Sequence, residues 1–122
     1  MLNILHFNDV YDIEERKSHQ KVSEGYQPIC GAARFVTAME QHGSSQKLVL
    51  FSGDLFSPSV LSMYFQGEQM LEVFNRLHVK VSCLGNHDTD FGLAKMSELI
   101  SKTNCPWIMS NLYMKVSGET IG

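Results

Sequence analysis

The sequence predicts an α/β protein with a mostly parallel sheet and helices on both faces. Along the 122 residues, short apolar runs of strand length alternate with longer segments that place apolar residues at helical spacing. A strand that is followed by a helix and another strand forms a right-handed crossover between parallel strands. A third observation concerns chemistry, since clusters of polar residues follow directly after three of the strands.

The predicted strands are short apolar runs, and they cover residues 2–7, 47–51, 79–83 and 107–110. Predicted helices cover 31–41, 57–66, 68–77 and 91–103. In the second helix, Ser57-Pro58-Ser59 marks the start, and Val60, Leu61, Tyr64 and Phe65 are expected on the buried side. Between the first strand and the first helix, residues 13–28 are polar without a sustained period. They are interpreted as a loop, which is either a substrate-facing lid or a solvated connection.

Composition limits the classes of function. The chain is 43% hydrophobic and 19% charged, with a formal net charge of −3, as in ordinary globular domains. It has no dense basic run, which argues against nucleic acid as the main partner. No apolar run reaches the ~20 residues that span a bilayer, and no basic leader opens the chain, so no membrane contact is expected. The three cysteines lack a CxxC pair, which favours reduced thiols and a cytoplasmic protein.

Three polar clusters predict a single site. Asp9 follows the first strand, Asp54 the second, and Asn86-His87 the third. Because parallel strands put their carboxyl ends at one edge of a sheet, these groups should converge there. Carboxylate and amide oxygens are hard ligands for a divalent metal. His87 can supply a proton near neutral pH, and Asp90 can hold its imidazole.

Each candidate also has a simpler structural interpretation. Taken singly, the aspartates fit turn roles in any doubly wound protein. Tyr11 is either a further metal ligand or a residue that packs beside the site, and packing is favoured. Ser57 is interpreted as a helix cap rather than a ligand. Arg34 fits a surface ion pair better than a phosphate contact, and Asn111 fits a turn as well as a substrate contact.

Three blocks in order carry a resemblance to a known family. Asn8-Asp9-x-Tyr11, Ser52-Gly53-Asp54 and Gly85-Asn86-His87-Asp88 resemble the first three motifs of the calcineurin-like metallophosphoesterases. Within that family the chain is most similar to the 5′-nucleotidase branch. The resemblance implies that residues 1–122 are the N-terminal portion of a catalytic domain, an incomplete metallophosphoesterase-type sandwich. It also implies metal-dependent hydrolysis of phosphate monoesters, such as nucleotides, by metal-activated water.

The same resemblance assigns roles to individual residues. It implies Asp9 as a ligand of a first metal, Asp54 as a ligand that bridges two metals, and Asn86 as a ligand of the second. It implies His87 as a transition-state stabiliser or general acid that Asp90 orients. The family uses two divalent ions, here manganese, zinc, magnesium or iron. Asp88 is interpreted as structural.

Two departures from the family pattern limit these expectations. Tyr11 stands where the family has an imidazole ligand. A later lone histidine and a Gly-His-x-His block are also absent among the five histidines, which are His6, His19, His42, His78 and His87. With three ligands missing, at most one weakly bound metal is expected, and the chain alone should be inactive or feeble.

Two alternatives to an enzyme stay open. The chain is then either a non-catalytic module that binds a metal or phosphate, or a truncated product without independent function. A sheet that is only half built would also expose an edge strand, which favours self-association.

Overall fold

The computed structural model describes residues 2–22, 25–42 and 46–120. In chain order the strands are β1 (Asn3–Phe7), β2 (Glu15–Val22), β3 (Gly25–Cys30), β4 (Lys47–Phe51), β5 (Val81–Cys83) and β6 (Trp107–Ile108). The α-helices are α1 (Ala32–Gln41), α2 (Val60–Phe65), α3 (Leu71–Arg76) and α4 (Leu93–Ser101). Two single 3₁₀ turns, Glu68–Met70 and His87–Thr89, precede α3 and α4.

Four of the strands form one parallel sheet in the order β1-β4-β5-β6. The α/β class and the mostly parallel sheet are therefore confirmed. The strands and helices predicted for the main sheet are all present, with ends that differ by a few residues. The predicted helix 68–77 is divided into a 3₁₀ turn and α3.

The described helices pack on one face of this sheet. Helices were expected on both faces, and the structure describes them on one face only. Phe7 meets Phe35 of α1 at a ring-centroid distance of 5.2 Å, and Phe51 meets Phe74 of α3 at the same distance. The physical reason is the strand order. Each crossover steps in the same direction across the sheet, and crossovers of one hand then place their helices on the same side.

The core lies between that face and the helices, and aromatic rings form its centre. Phe56 stacks on Trp107 with ring centroids 5.8 Å apart, and Phe51 packs edge-on to the same indole at 6.3 Å. Met96 and Leu99 of α4 are buried in this cluster, as their spacing predicts. Full burial of such a side chain contributes roughly 1.5–3 kcal/mol.

The opposite face of the sheet carries apolar side chains that the described residues leave partly open. Ile4 of β1 is 61% exposed and Ile108 of β6 is 58% exposed. Both residues belong to the face that alternates with Phe7, Phe51 and Trp107 along the paired strands. An open apolar face and the edge strand β1 are features that favour self-association, which stays a prediction.

Most of the described part of 13–28, which was expected to be a loop, forms strands β2 and β3; residues 23 and 24 lie outside the described residues. β2 and β3 pair as antiparallel strands, with Glu15 opposite Cys30 and Arg16 opposite Ile29. The side chains of Glu15, Arg16 and Lys17 are exposed, and so is Ile29. The sequence of these two strands shows no alternation of apolar and polar residues, so periodicity cannot reveal their pairing.

The predicted orientation of α2 is wrong. Val60 is 69% exposed, Tyr64 79% and Phe65 54%, whereas Ser62 is buried. Ser59 is the N-cap, because its hydroxyl accepts a hydrogen bond from the Ser62 N–H and the Ser62 hydroxyl accepts one from the Ser59 N–H. This reciprocal capping box turns the polar side of the short helix inward.

A buried carboxylate joins the loops that follow β4 and β5. Asp88, which is 1% exposed, accepts hydrogen bonds from the backbone N–H groups of Asp54 (3.0 Å), Leu55 (2.8 Å), Phe56 (3.1 Å) and Gly85 (2.9 Å). Burial raises the pKa of the Asp88 carboxyl, and the four N–H donors oppose that rise because they favour the anion. The contact set agrees with a structural role for Asp88.

The same two loops touch through glycine backbone. A Cβ atom at Gly53 would lie 2.6 Å from the Cα of Gly85, and one at Gly85 would overlap the Asp54 side chain. No side chain other than hydrogen fits either position, so the loops approach as closely as two backbones can.

Two further features concern the cysteines and the length of the helices. Cys30, Cys83 and Cys105 are all free thiols. Among the described helices, none has the length and apolar character that crossing a bilayer requires.

Replacing Asp88 should destabilise the fold strongly. In Asp88→Ala three buried N–H groups and one part-buried N–H group lose their acceptor, so we expect the free energy of unfolding to fall by about 3 kcal/mol or more. Urea denaturation followed by circular dichroism measures the change. The surface variant Glu98→Ala is the control, and an equal loss in both variants would contradict the role of Asp88.

The close approach of the two loops predicts a second effect on stability. Gly85→Ala forces Asp54 and its loop to move, and overpacking of this kind costs about 3 kcal/mol. Gly92→Ala is the matched control, because a Cβ there meets no atom within 4 Å and the substitution bears only the strain of a φ of 84°. That strain is worth about 1–3 kcal/mol, but it displaces no neighbouring atom, whereas a Cβ at Gly85 would overlap the backbone N of Asp54. Gly92→Ala should therefore melt at the higher temperature of the two.

Candidate functional site

Backbone hydrogen bonds bring the three predicted clusters together at the carboxyl edge of the sheet. The Asp9 N–H donates to the Gly53 carbonyl at 3.1 Å, and the Val10 N–H donates to the Asp54 carbonyl at 3.2 Å. The His87 N–H donates to the Asp54 side chain, at 2.7 Å from Oδ1. The first loop is thus joined to the second and the second to the third.

Both aspartates leave their strands in an unusual backbone conformation. Asp9 has a φ of 55° and Asp54 a φ of 57°, in the left-handed region that non-glycine residues seldom adopt. Short polar residues tolerate this region best, which is consistent with aspartate at both positions. The chain therefore turns sharply right after β1 and β4, and both carboxylates stay at the sheet edge.

The two aspartates differ in their surroundings. Asp54 is 8% exposed, and the His87 N–H occupies one of its oxygens. Asp9 is exposed, and its Oδ2 accepts a hydrogen bond from the side-chain amide of the neighbouring Asn8. One carboxylate is consequently held within the protein, while the other faces solvent.

His87 and Asp90 form a hydrogen-bonded pair on one 3₁₀ turn. The imidazole Nδ1 lies 2.9 Å from Asp90 Oδ2, and the same oxygen accepts a hydrogen bond from the Ser57 hydroxyl at 2.9 Å. Since Nδ1 faces Asp90, Nε2 is the ring nitrogen that can exchange a proton with another group.

The charges of this pair shift each other's pKa. The hydrogen bond to Asp90 raises the pKa of His87 above its usual 6.5, partial desolvation opposes it, and the negative charges of Asp90, Asp54 and Asp9 add to the rise. The same hydrogen bond lowers the pKa of Asp90. An imidazole whose pKa is raised by neighbouring carboxylates suits a group that delivers a proton.

The donor set fits a divalent cation only in part. Asp9 and Asp54 offer carboxylate oxygens and the exposed Asn86 can offer an amide oxygen, all hard ligands. Within residues 2–22, 25–42 and 46–120, however, no group of three or more histidine, cysteine, aspartate or glutamate side chains is placed to hold a metal ion. The proposed ligand roles of Asp9, Asp54 and Asn86 therefore stay predictions.

Tyr11 lines a cavity that opens beside Asp9. The cavity has a volume of about 570 Å³, and its apolar wall includes Phe35 and Val73. Tyr11 is half-buried in this position, and whether it ligates a metal or only packs stays a prediction. Arg34, at the same cavity, forms an ion pair with Glu15 at 2.8 Å, which is the structural interpretation favoured from the sequence.

Ser57 makes a contact in the site that the sequence did not predict. The sequence favours Ser57 as the cap of α2, but Ser59 caps that helix and Ser57 bonds to Asp90 instead. The two residues are 33 positions apart, and no local pattern records a contact of that separation. Asn111, the remaining candidate, is exposed after β6.

Comparisons with known proteins show the family of the chain. Residues 2–118 match the family described as Calcineurin-like phosphoesterase. A snake venom 5′-nucleotidase from Crotalus adamanteus is 30% identical over 120 residues, and the alignment covers 95% of this chain and 20% of that protein. A 5′-nucleotidase from Bos taurus is 28% identical over 119 residues, covering 93% of this chain and 21% of its own length. The chain thus spans about a fifth of these relatives.

Solved structures share the fold. An NAD nucleotidase from Haemophilus influenzae superposes with a TM-score of 0.78 at 24% identity, over 95% of this chain and 22% of the other. A 5′-nucleotidase precursor from Thermus thermophilus gives a TM-score of 0.76 at 23% identity, over 90% and 22%. Since the family match extends over nearly all of the chain, the protein belongs to the calcineurin-like phosphoesterase family, and its relatives include 5′-nucleotidases.

Proposed function

We propose that this chain supplies the first carboxylate ligands and the proton donor of a metal-dependent phosphoesterase that hydrolyses phosphate monoesters of small molecules such as nucleotides. The observation that carries the proposal is the His87–Asp90 pair held beside Asp54, with the His87 N–H bonded to the Asp54 carboxylate. The family, and the nucleotidases among its relatives, support the class of reaction and of substrate.

A divalent ion, manganese, zinc, magnesium or iron, is the group that the proposal requires. Asp9, Asp54 and Asn86 are the residues that would hold it. When bound, such an ion supplies positive charge for phosphoryl oxygens and lowers the pKa of a coordinated water towards neutrality.

The protein's own residues then have separate tasks. Asp54 keeps the third loop in place through the His87 N–H. His87 carries a proton on Nε2 for the leaving alkoxide, and Asp90 holds the ring by Nδ1. General acid catalysis of this kind contributes about 10²–10⁴-fold to a rate.

A non-catalytic module that binds one metal ion or a phosphate is the second candidate. It is favoured by the incomplete donor set, because the described residues hold no cluster of three ionisable ligands. Metal affinity depends on the number of ligands, so in either case we propose that the chain binds at most one ion weakly, with little or no turnover.

Manganese binding and hydrolysis of an aryl phosphate separate the two candidates. We expect calorimetry to detect one weak manganese site, which Asp54→Asn weakens about tenfold by removing an anionic ligand. His87→Ala should leave manganese affinity unchanged and should abolish whatever manganese-stimulated hydrolysis the chain shows.

The surface variant His42→Ala is the matched control for both measurements. Binding without hydrolysis would favour the module. Manganese affinity that is unaffected by Asp54→Asn would contradict both candidates.

The pKa shifts predict a pH dependence for the metal-free chain. NMR titration should give His87 a pKa above 6.5, and Asp90→Asn should bring it down, because Asp90 is the largest cause of the rise. The stabilisation from His87 is complete below pH 6.5 and is lost as pH rises through its folded-state pKa.

Asp90 behaves in the opposite sense. Its stabilisation is present above pH 3.8 and is lost as pH falls through its lowered pKa. Both contributions are therefore in place between pH 3.8 and 6.5. A His87 pKa at or below 6.5 in the metal-free chain would be inconsistent with the pair.

A further inference from the structure

We infer that Ser57 is a positioning residue of this site, which fixes Asp90 and, through Asp90, the orientation and tautomer of the His87 imidazole. The inference deepens the proposed function and rests on it for its catalytic meaning. The hydrogen-bonded geometry on which it stands does not require a bound metal or substrate.

One carboxylate oxygen receives both hydrogen bonds. The Ser57 hydroxyl donates to Asp90 Oδ2 at 2.9 Å, and His87 Nδ1 lies 2.9 Å from the same atom. Ser57 is 4% exposed, so its hydroxyl is a buried polar group whose partner is this carboxylate. A buried hydroxyl of this kind is costly to leave unpaired, which makes the contact persistent.

The His87–Asp90 pair alone is too exposed to hold its own geometry. The side chains of His87 and Asp90 are 41% and 38% exposed, and they lie three residues apart on one short turn. Exposed ion pairs of this kind contribute little to stability, because solvent screens them and both side chains keep rotamer freedom. A third group is needed to restrict Asp90.

Ser57 is well placed to restrict it, because it belongs to the rigid loop after β4. The residues just before it, Leu55 and Phe56, are fully buried and donate their N–H groups to Asp88. The hydroxyl is thereby attached to a segment whose neighbouring side chains are fully buried. Asp90 is held from the neighbouring loop as well as from its own turn.

The ordinary explanation of a serine at this point is a helix cap, and the structure assigns that role elsewhere. The N-cap of α2 is Ser59, whose hydroxyl accepts the Ser62 N–H at 3.0 Å. Ser57 takes no part in that capping box, so its burial and its bond to Asp90 need another explanation.

The chemical consequence concerns the imidazole. An anionic oxygen fixed at Nδ1 favours the neutral tautomer that carries its proton on Nδ1, so that Nε2 has the free lone pair. When the ring is protonated, Nε2–H is the proton that can be delivered. A mobile Asp90 would allow the ring to rotate and would mix the two tautomers.

Nitrogen NMR of the metal-free chain tests this directly. At a pH well above the imidazole pKa, the ring nitrogen shifts of His87 report the ratio of the two neutral tautomers. We expect the Nδ1–H form to dominate in the native chain, and Ser57→Ala to lower the ratio about fivefold, the equivalent of one ordinary hydrogen bond. Ser57→Thr keeps the hydroxyl and should retain the native ratio.

Ser62→Ala is the matched control, since Ser62 is a buried serine of the same segment that bonds to Ser59 and not to Asp90. A merely structural loss would alter the control and Ser57→Ala alike, whereas positioning alters Ser57→Ala alone. An unchanged tautomer ratio in Ser57→Ala, or a lowered ratio in folded Ser57→Thr, overturns the inference.

Kinetics keep this inference distinct from the proposed function. Where manganese-stimulated hydrolysis is measurable, Ser57→Ala should lower kcat and leave KM unchanged, because the hydroxyl acts on the proton donor and not on substrate binding. Manganese affinity that Asp54→Asn leaves unchanged counts against the proposed function. The tautomer ratio still decides the role of Ser57.

Discussion

The carboxylate of Asp88 is the constraint on which the rest of the site depends. It is buried and accepts four backbone N–H groups, three from the loop after β4 and one from the loop after β5. Buried backbone donors without partners are costly, and these loops contain no strand or long helix that could pair them. A single side chain therefore accepts the backbone N–H groups of two loops and holds the loops together.

The position of the functional groups follows from that junction. Asp88 lies between His87 and Asp90 in the chain. It accepts the N–H of Asp54, and the Asp54 carboxylate in turn accepts the N–H of His87. Gly53 and Gly85 leave no space for a side chain between the loops. The proposed proton donor is thus close to the proposed metal ligands because the backbones are in contact, and exposed ion pairing contributes little to the arrangement.

Much of this could be predicted from the sequence because the relevant signals are local. Apolar runs define β1 and β4, and the polar residues at their ends appear in the structure at one edge of the sheet, as parallel strands require. Where the stabilising contacts are long-range or purely backbone, prediction was incomplete. The β2–β3 pair has no apolar period in its sequence, and the outward face of α2 results from the bonds between Ser59 and Ser62.

The amino-acid sequence by itself determined the α/β class, the order of the elements, and the family to which the three polar blocks belong, since each depends on residues close together in the chain. Only the tertiary structure decided that the described helices cover one face of the sheet and that Asp88 joins two loops. It also decided that Ser57 reaches Asp90 across 33 positions. The physical reason is that the partners of buried polar groups depend on how the whole fold packs. A pattern of residues close together in the chain does not predict such partners.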